Sequence, residues 1–455
     1  MTNTFDFNQC YKFDRLNEPM MLCRDMITIK LEANTYQSDA EFWMIFLPRP
    51  RLEIKTKIAP NNDIPNLLND NIKATFNLGK QSVEIPVHFV NINKTSGEIS
   101  VTLVPAKEPV SILGDDSTPV QWVIFHLFNF KKFISKRRSS FKIVNDKKEV
   151  IKVIEHIEMF WQDWQVEIKS LPETEDTFKA LKDKGGYGVT HIGCIRKKNG
   201  LSFLGKDAKE MLYALRYFFS FANGYWCPPV LCVGFNSNDE KIWEMWNSPK
   251  EPWHSSVLSW NDPHNSNQLA DFFQGFMEKQ SDESWKTAIC EVIYWYLNSN
   301  LDSYSKDAGI ILTQAAIERL SFEYAVQSKK LITSEGFKAL RASDKFRLLF
   351  SSLDIPIELP SYLSTIQNLA RQYNWLDAPH ALTEIRNSLV HPEHKKIGKF
   401  GTTVIFETWN LGLWYLEMVI LRVCEYHGTY SNRLTQKWVG QIEKVPWHDK
   451  KRSTS

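Results

Sequence analysis

Apolar residues recur at every second position in the first part of this chain and at helical spacing in the last, so no single repeated architecture can accommodate it. Met26-Ile-Thr-Ile-Lys-Leu-Glu, Ile72-Lys-Ala-Thr-Phe-Asn-Leu, Val83-Glu-Ile-Pro-Val-His-Phe-Val and Ile99-Ser-Val-Thr-Leu-Val alternate apolar with polar side chains, the pattern of half-buried strands. Asn61-Asn-Asp and Thr95-Ser-Gly punctuate them as turns. A small sandwich or curved sheet is expected over residues 1–116, with Pro105 to Asp116 as a linker.

The middle stretch, 117–268, reads as a mixed α+β domain. Val150, Val153, Ile154, Ile157 and Phe160 have helical spacing, which predicts a helix over Val150 to Trp164. A strand is expected from Gly188, and a helix from Lys206 to Ala222 carrying Met211, Leu212, Leu215 and Phe219, stopped by Asn223-Gly. Val230-Leu-Cys-Val-Gly-Phe and Lys241-Ile-Trp-Glu-Met-Trp flank a turn and read as a hairpin, and Trp253 to Asn267 reads as an exit loop. From Leu269 the pattern is helical, with helices expected over Asp282 to Asn298, Lys306 to Gln327, Ser343 to Ser352, Pro360 to Tyr373, Ala378 to His391 and Thr403 to Tyr426. Short loops between them imply a bundle over 269–455. The expected fold class is therefore multidomain α+β: a β-rich front, a mixed middle and an all-α C-terminal bundle.

Composition narrows the function classes. A formal net charge of +2 on 455 residues creates no global field for nucleic acid, so any such binding depends on local patches. The seven cysteines are scattered with no CxxC pair, which argues against a zinc finger and for buried free thiols. The N-terminal residues lack a basic segment followed by an apolar one, and no apolar run reaches the ~18 residues that cross a bilayer. A cytoplasmic protein without a membrane partner is expected. Lys131-Lys-Phe-Ile-Ser-Lys-Arg-Arg reads as a solvated face, and Gly185-Gly-Tyr-Gly as a turn, because it lacks the Lys-Ser/Thr of a phosphate loop.

The segment with chemical content is Glu384-Ile-Arg-Asn-Ser-Leu-Val-His-Pro. Leu382, Ile385 and Leu389 form the stripe that seats the helix, leaving Arg386, Asn387 and His391 off it. Pro392 disfavours helical geometry at His391, which places the imidazole at the helix end. Histidine titrates near neutrality and can take a proton from a 2′-hydroxyl or deliver one to a leaving 5′-oxygen, contributing ~10²–10⁴-fold. A planar guanidinium can hold two oxygens of the phosphorane that forms between those steps.

Arg386-Asn-Ser-Leu-Val-His391, near a helix end and ahead of a long closing helix, resembles the signature of the HEPN superfamily. The resemblance covers about residues 270–430. It implies a helical bundle and a metal-independent endoribonuclease with no cofactor, in which Arg386 and His391 are catalytic and Asn387 assists. It also implies a homodimer through the C-terminal helices, since two copies of the motif usually face one cleft. Glu318, in Ala315-Ala-Ile-Glu-Arg-Leu, is the match for the acidic residue that supports the arginine in that family. Lys395, Lys396 and Lys399 follow the motif and could guide an RNA backbone, with a solvated loop as the blander alternative. A variable α+β front half ahead of such a domain looks like ApeA-like antiphage effectors, which implies a regulated toxin or defence nuclease with an infection-derived trigger. The alternatives are a non-catalytic dimerisation module and a toxin silenced by a nucleotidyltransferase antitoxin.

Overall fold

The computed structural model describes residues 6–13, 15–31, 34–58, 72–78, 81–95, 98–145, 148–301, 305–391, 400–435, 438 and 440–450. The chain is a multidomain α+β protein, β-rich at the N-terminal end, with most helices in its C-terminal half. Six antiparallel strands form the first unit: β1 (Met20–Leu31), β2 (Asn34–Ile45), β3 (Arg51–Ile58), β4 (Ile72–Leu78), β5 (Gln81–Thr95) and β6 (Glu98–Pro105). Their order is β1-β2-β3-β6-β5-β4, and β4 pairs back onto β1, so the expected sandwich or curved sheet is instead a closed barrel. Closure removes both free edges, which a short open sheet would leave exposed to strand addition. Ile27, Ile29, Ile54, Ala74, Val101 and Leu103 fill the interior.

Pro105 to Asp116 is more than a linker. Val110–Leu113 within it forms β7, which becomes the edge strand of a second sheet. That sheet has eight strands in the order β10-β11-β12-β13-β9-β15-β16-β7, where β9 is Trp122–Phe128, β10 Arg137–Asn145, β11 Lys148–Trp161, β12 Trp164–Ser170, β13 Val189–Lys197, β15 Val230–Phe235 and β16 Lys241–Trp246. The hairpin β15–β16 forms as expected. The helix expected over Val150 to Trp164 does not: its residues lie mostly in β11, antiparallel to both β10 and β12. Their β-branched side chains fit a pleated surface better than a helix. The outcome is a period of two, with Ile157 and Met159 buried and Phe160 exposed.

The loop at Gly185 and Gly186 turns with positive φ at both residues. It follows the short helix α1 (Thr174–Lys184). The two-residue strands β8 (Pro119–Val120) and β14 (Phe203–Leu204) pair with each other ahead of α2 (Gly205–Asn223), which ends at Gly224 with φ 87°. Phe218 on α2 meets Phe272, Phe273 and Phe276 of α3 (Asn267–Ser281) at ring distances of 5.8, 5.2 and 5.5 Å. One continuous apolar core therefore runs from the second sheet into the helices.

The helical region continues with α4 (Glu283–Asn300), α5 (Lys306–Phe322), α6 (Ser334–Ala339), α7 (Ala342–Ser352), α8 (Ser364–Tyr373), α9 (Ala378–Val390) and α10 (Thr402–Val423), and closes on a two-stranded ribbon, β17 (Thr429–Tyr430) and β18 (Glu443–Lys444). The last turn after α5, Glu323–Ser328, winds as a π-helix. Among the described residues α10 is the one helix long and apolar enough to cross a membrane, and 83% of that stretch is buried inside the fold. It is the core helix of this region.

Polar side chains stitch the joint between sheet and helices. Arg433, after β17, reaches inward and donates to both oxygens of Glu417 on α10 (3.1 and 2.6 Å), to Asn300 Oδ1 (3.1 Å) and to the Leu258 carbonyl (3.2 Å). Tyr296 donates to the same carboxylate at 2.6 Å. The solvated face expected around Lys131 is corrected at that residue. Its ammonium points inward, donating to Ser259 Oγ at 2.5 Å and the Asn261 carbonyl at 3.3 Å, because the exit loop folds over it and supplies acceptors. Neighbouring Lys132 and Lys136 stay exposed, as expected.

Candidate functional site

Helix α9 is held firmly at its start and loosely at its end. Asp377 caps it by accepting from the His380 amide at 2.9 Å, and Pro379 fits the first turn, where an N–H would lack a partner. Arg347 of α7 grips the same carboxylate through two bonds, of 2.7 and 3.0 Å, and the Asp377 contact raises that guanidinium further above its ordinary pKa. Ala378, Ala381, Leu382 and Ile385 are buried, and Gln314 of α5 donates to the Leu382 carbonyl at 2.6 Å. Burial then declines along the helix. Arg386, Asn387 and Ser388 are half-buried and Val390 is exposed.

Arg386, Asn387 and His391 all fall at this loosening end of the helix. Arg386 Nη1 donates to Asn387 Oδ1 at 3.3 Å. His391 leaves the helix with φ −105° and ψ 113°, while its amide still donates to the Asn387 carbonyl at 2.8 Å. That extended geometry is what a residue before proline is obliged to adopt. His391, half-buried, is therefore the residue at the helix terminus, five positions after Arg386.

Glu318 is placed differently from the expectation. It lies on α5, half-exposed, and its carboxylate accepts from Lys345 Nζ of α7 at 2.5 Å. The α5 side chain that reaches α9 is Gln314, one turn earlier, so Lys345 takes the role expected of Arg386. A cleft of about 560 Å³ opens beside Glu318, lined also by Arg319, Phe337 and Lys345, and neither Arg386 nor His391 lines it. Lys395, Lys396 and Lys399 lie outside the described residues. Among the described residues no group of three or more His, Cys, Asp and Glu is arranged to hold a metal ion.

Two features went unread in the sequence: two cysteines that depart from the expected buried free thiols, and a buried carboxylate near one of them. All seven cysteines are free thiols and five are buried, but Cys10 and Cys23 are half-buried, and burial pushes both thiols up, to about 12 and about 11. Near Cys10, burial raises Glu244 to about 7 despite the bond from Trp246 Nε1 at 2.9 Å, and Lys241 pairs with the same carboxylate at 2.6 Å. The signal was Glu244 standing between Trp243 and Met245 in a strand whose alternate positions both turned out buried.

Comparison with known proteins matches the two later parts of the chain separately. Residues 115–256 match the family model described as the YopA central domain, and residues 282–444 match the YopA C-terminal domain. Between them lie the exit loop and α3. No solved structure matches. Nearly the whole chain is similar to the SPbeta prophage-derived uncharacterized protein YopA of Bacillus subtilis (strain 168), with 25% identity over 440 residues, 95% of this chain and 96% of that protein.

Proposed function

We propose that this protein is a metal-independent endoribonuclease of HEPN type, with Arg386 and His391 as catalytic residues and Asn387 as their neighbour at the phosphate. The observation that supports this reading best is the end of α9. A guanidinium, an amide and an imidazole occupy its last turn and terminus, half-buried, on a helix whose other face is anchored in the core. Histidine removes the 2′-hydroxyl proton or supplies one to the 5′-oxygen, and the guanidinium binds the charge that builds on the phosphorane. Because the attacking group is the RNA's own 2′-hydroxyl, DNA is not a substrate. The proposal includes a homodimer through the C-terminal helices, so that two such termini share one cleft, and a cytoplasmic location.

The prophage origin of the Bacillus subtilis relative is in keeping with a role in conflict between phage and host, as a regulated toxin or defence effector. The competing reading, a non-catalytic dimerisation module, draws on the Glu318–Lys345 pair, which leaves that carboxylate satisfied without Arg386. Cleavage of RNA in excess EDTA separates the two readings. Wild type yields 2′,3′-cyclic phosphate ends, and His391→Ala lowers the rate by at least ~100-fold while the mass in solution stays unchanged. Equal behaviour of wild type and His391→Ala on RNA ends the enzymatic reading.

A further inference from the structure

A row of aromatic rings crosses the outer face of α2 and α4, and none of them belongs to the α9 terminus. Tyr213 and Tyr217, one helical turn apart on α2, have ring centroids 5.3 Å apart. Tyr217 lies 5.7 Å from Trp226, and Trp226 lies 6.1 Å from Tyr294 on α4. The outer two rings are open to solvent, Tyr213 at 43% and Tyr294 at 52% exposure. A cavity of about 350 Å³ opens between them, lined also by Lys286, Cys290 and Trp295. It continues past Tyr213 and Lys286 into a second groove that reaches Trp161 and Trp164.

One cation in this row has no acid. The Arg216 guanidinium carbon stands 4.7 Å from the Trp226 ring and 5.6 Å from that of Tyr217. Its Nε is buried without a hydrogen-bond partner, and among the described residues nothing pairs with the guanidinium. Arg319, Arg347 and Arg433 each hold a carboxylate at 3.0 Å or less. A guanidinium kept on ring faces with unused donors is poised for an arriving anion. Most acids of the rim are engaged: Glu291 with Arg319, Glu283 with Lys286 at 3.4 Å, and Asp207 with the Leu204 amide at the start of α2, while Glu210 in the second groove is exposed and has no partner among the described residues. Glu210 disfavours an anionic backbone in the second groove, and Arg216 stands next to the first, against the Tyr217 that lines it.

Two exposed tyrosines on either side of a cavity, with a guanidinium that has no acid next to it, suit a ligand that alternates flat bases with phosphates. We infer that this groove binds unpaired nucleic acid, with bases on Tyr213 and Tyr294 and a phosphate at Arg216. A duplex hides its base faces and cannot use the rings. The consequence, that the proposed nuclease captures single-stranded RNA here, rests on the proposed function; binding does not.

The test uses the full chain carrying His391→Ala, so that bound RNA survives, and fluorescence anisotropy of a labelled oligouridine strand, its duplex with oligoadenine, and the matching deoxyuridine strand. The single strands bind at least tenfold tighter than the duplex, and Tyr294→Ala weakens them about tenfold, the size of one lost stacking contact. Tyr294→Phe keeps the affinity, and Arg216→Gln lowers it and flattens its salt dependence. Equal binding of duplex and single strand overturns the proposal. So does unchanged binding by Tyr294→Ala and Arg216→Gln, including the case where these substitutions instead split a dimer, which would make the groove a contact between copies of this chain. The deoxyuridine strand reports whether the 2′-hydroxyl is read in binding. Failure of the catalytic proposal shows only in the EDTA cleavage assay, which this measurement does not touch.

Discussion

Arg433 and Arg386 belong to the same helical region and live under opposite conditions. Arg433 has a side chain 1% exposed and donates to a carboxylate that is wholly buried, to an amide and to a backbone carbonyl. Arg386 is half-exposed and has among its described neighbours one contact of 3.3 Å, to the next residue in the chain. The first is saturated, as a buried charge must be for the fold to tolerate it. The second has most of its donors without a partner among the described residues. Around Arg433 polar chemistry is used up in holding the chain together, whereas Arg386 has one such bond among the described residues.

Breaking the saturated side has the largest expected effect. Arg433→Met strands the Glu417 carboxylate in the core and lowers unfolding free energy by about 3–5 kcal/mol, read from the urea midpoint. Adding Glu417→Leu removes the stranded charge and recovers most of that loss. A single-variant cost below about 1 kcal/mol would mean that the joint opens readily to water, and the contrast with Arg386 would lose its footing.

A smaller effect lies in the same joint. Burial depresses the Lys131 ammonium to about 7, against the pull of Glu417 and Asp262. Between that value and the range where free thiols begin to titrate, the unfolded chain holds a proton that the folded chain has given up. The Lys131 contribution to stability therefore rises with pH from about 7 to about 8.5, by up to ~1.4 kcal/mol per pH unit, and is read as the difference between wild type and a variant without the ammonium. Lys131→Met flattens the rise, measured as urea midpoints across that window. An arginine at this depth keeps its charge and needs Glu417, whereas a lysine can shed its charge, so the two basic residues use different means in one place.

Much of the architecture could be read from residues, and the failures share a cause. α2 stops at Gly224 because a left-handed residue is needed there, and α9 stops before His391 because Pro392 follows; both are local causes. Barrel closure is not local: it depends on Ile27 to Lys30 in β1 finding Lys73 to Phe76 in β4, a pairing that alternation along either strand does not report. Val150 to Trp164 misled because Val150, Val153, Ile154 and Ile157 satisfy helical spacing, while the choice was made by β-branched shape and two flanking strands. For the candidate site, helix end and exposure were legible from Ile385, Leu389 and Pro392. The partner of Glu318 was not, since it hangs on the packing of α5 against α7.

The smallest effects on stability sharpen the open side of the comparison. Arg386→Ala removes a side chain with little to lose, so its unfolding midpoint shifts by no more than about 0.5 kcal/mol while RNA cleavage falls with that of His391→Ala. Glu318→Gln breaks a half-exposed pair with Lys345, which is worth at most about 1 kcal/mol. If the pairing with Lys345 holds during catalysis, cleavage by Glu318→Gln stays at the wild-type rate. Should it instead drop as far as in Arg386→Ala, the carboxylate must turn from α7 towards α9 once RNA is bound, and the guanidinium that stands open in the free protein would be one that the fold completes on demand.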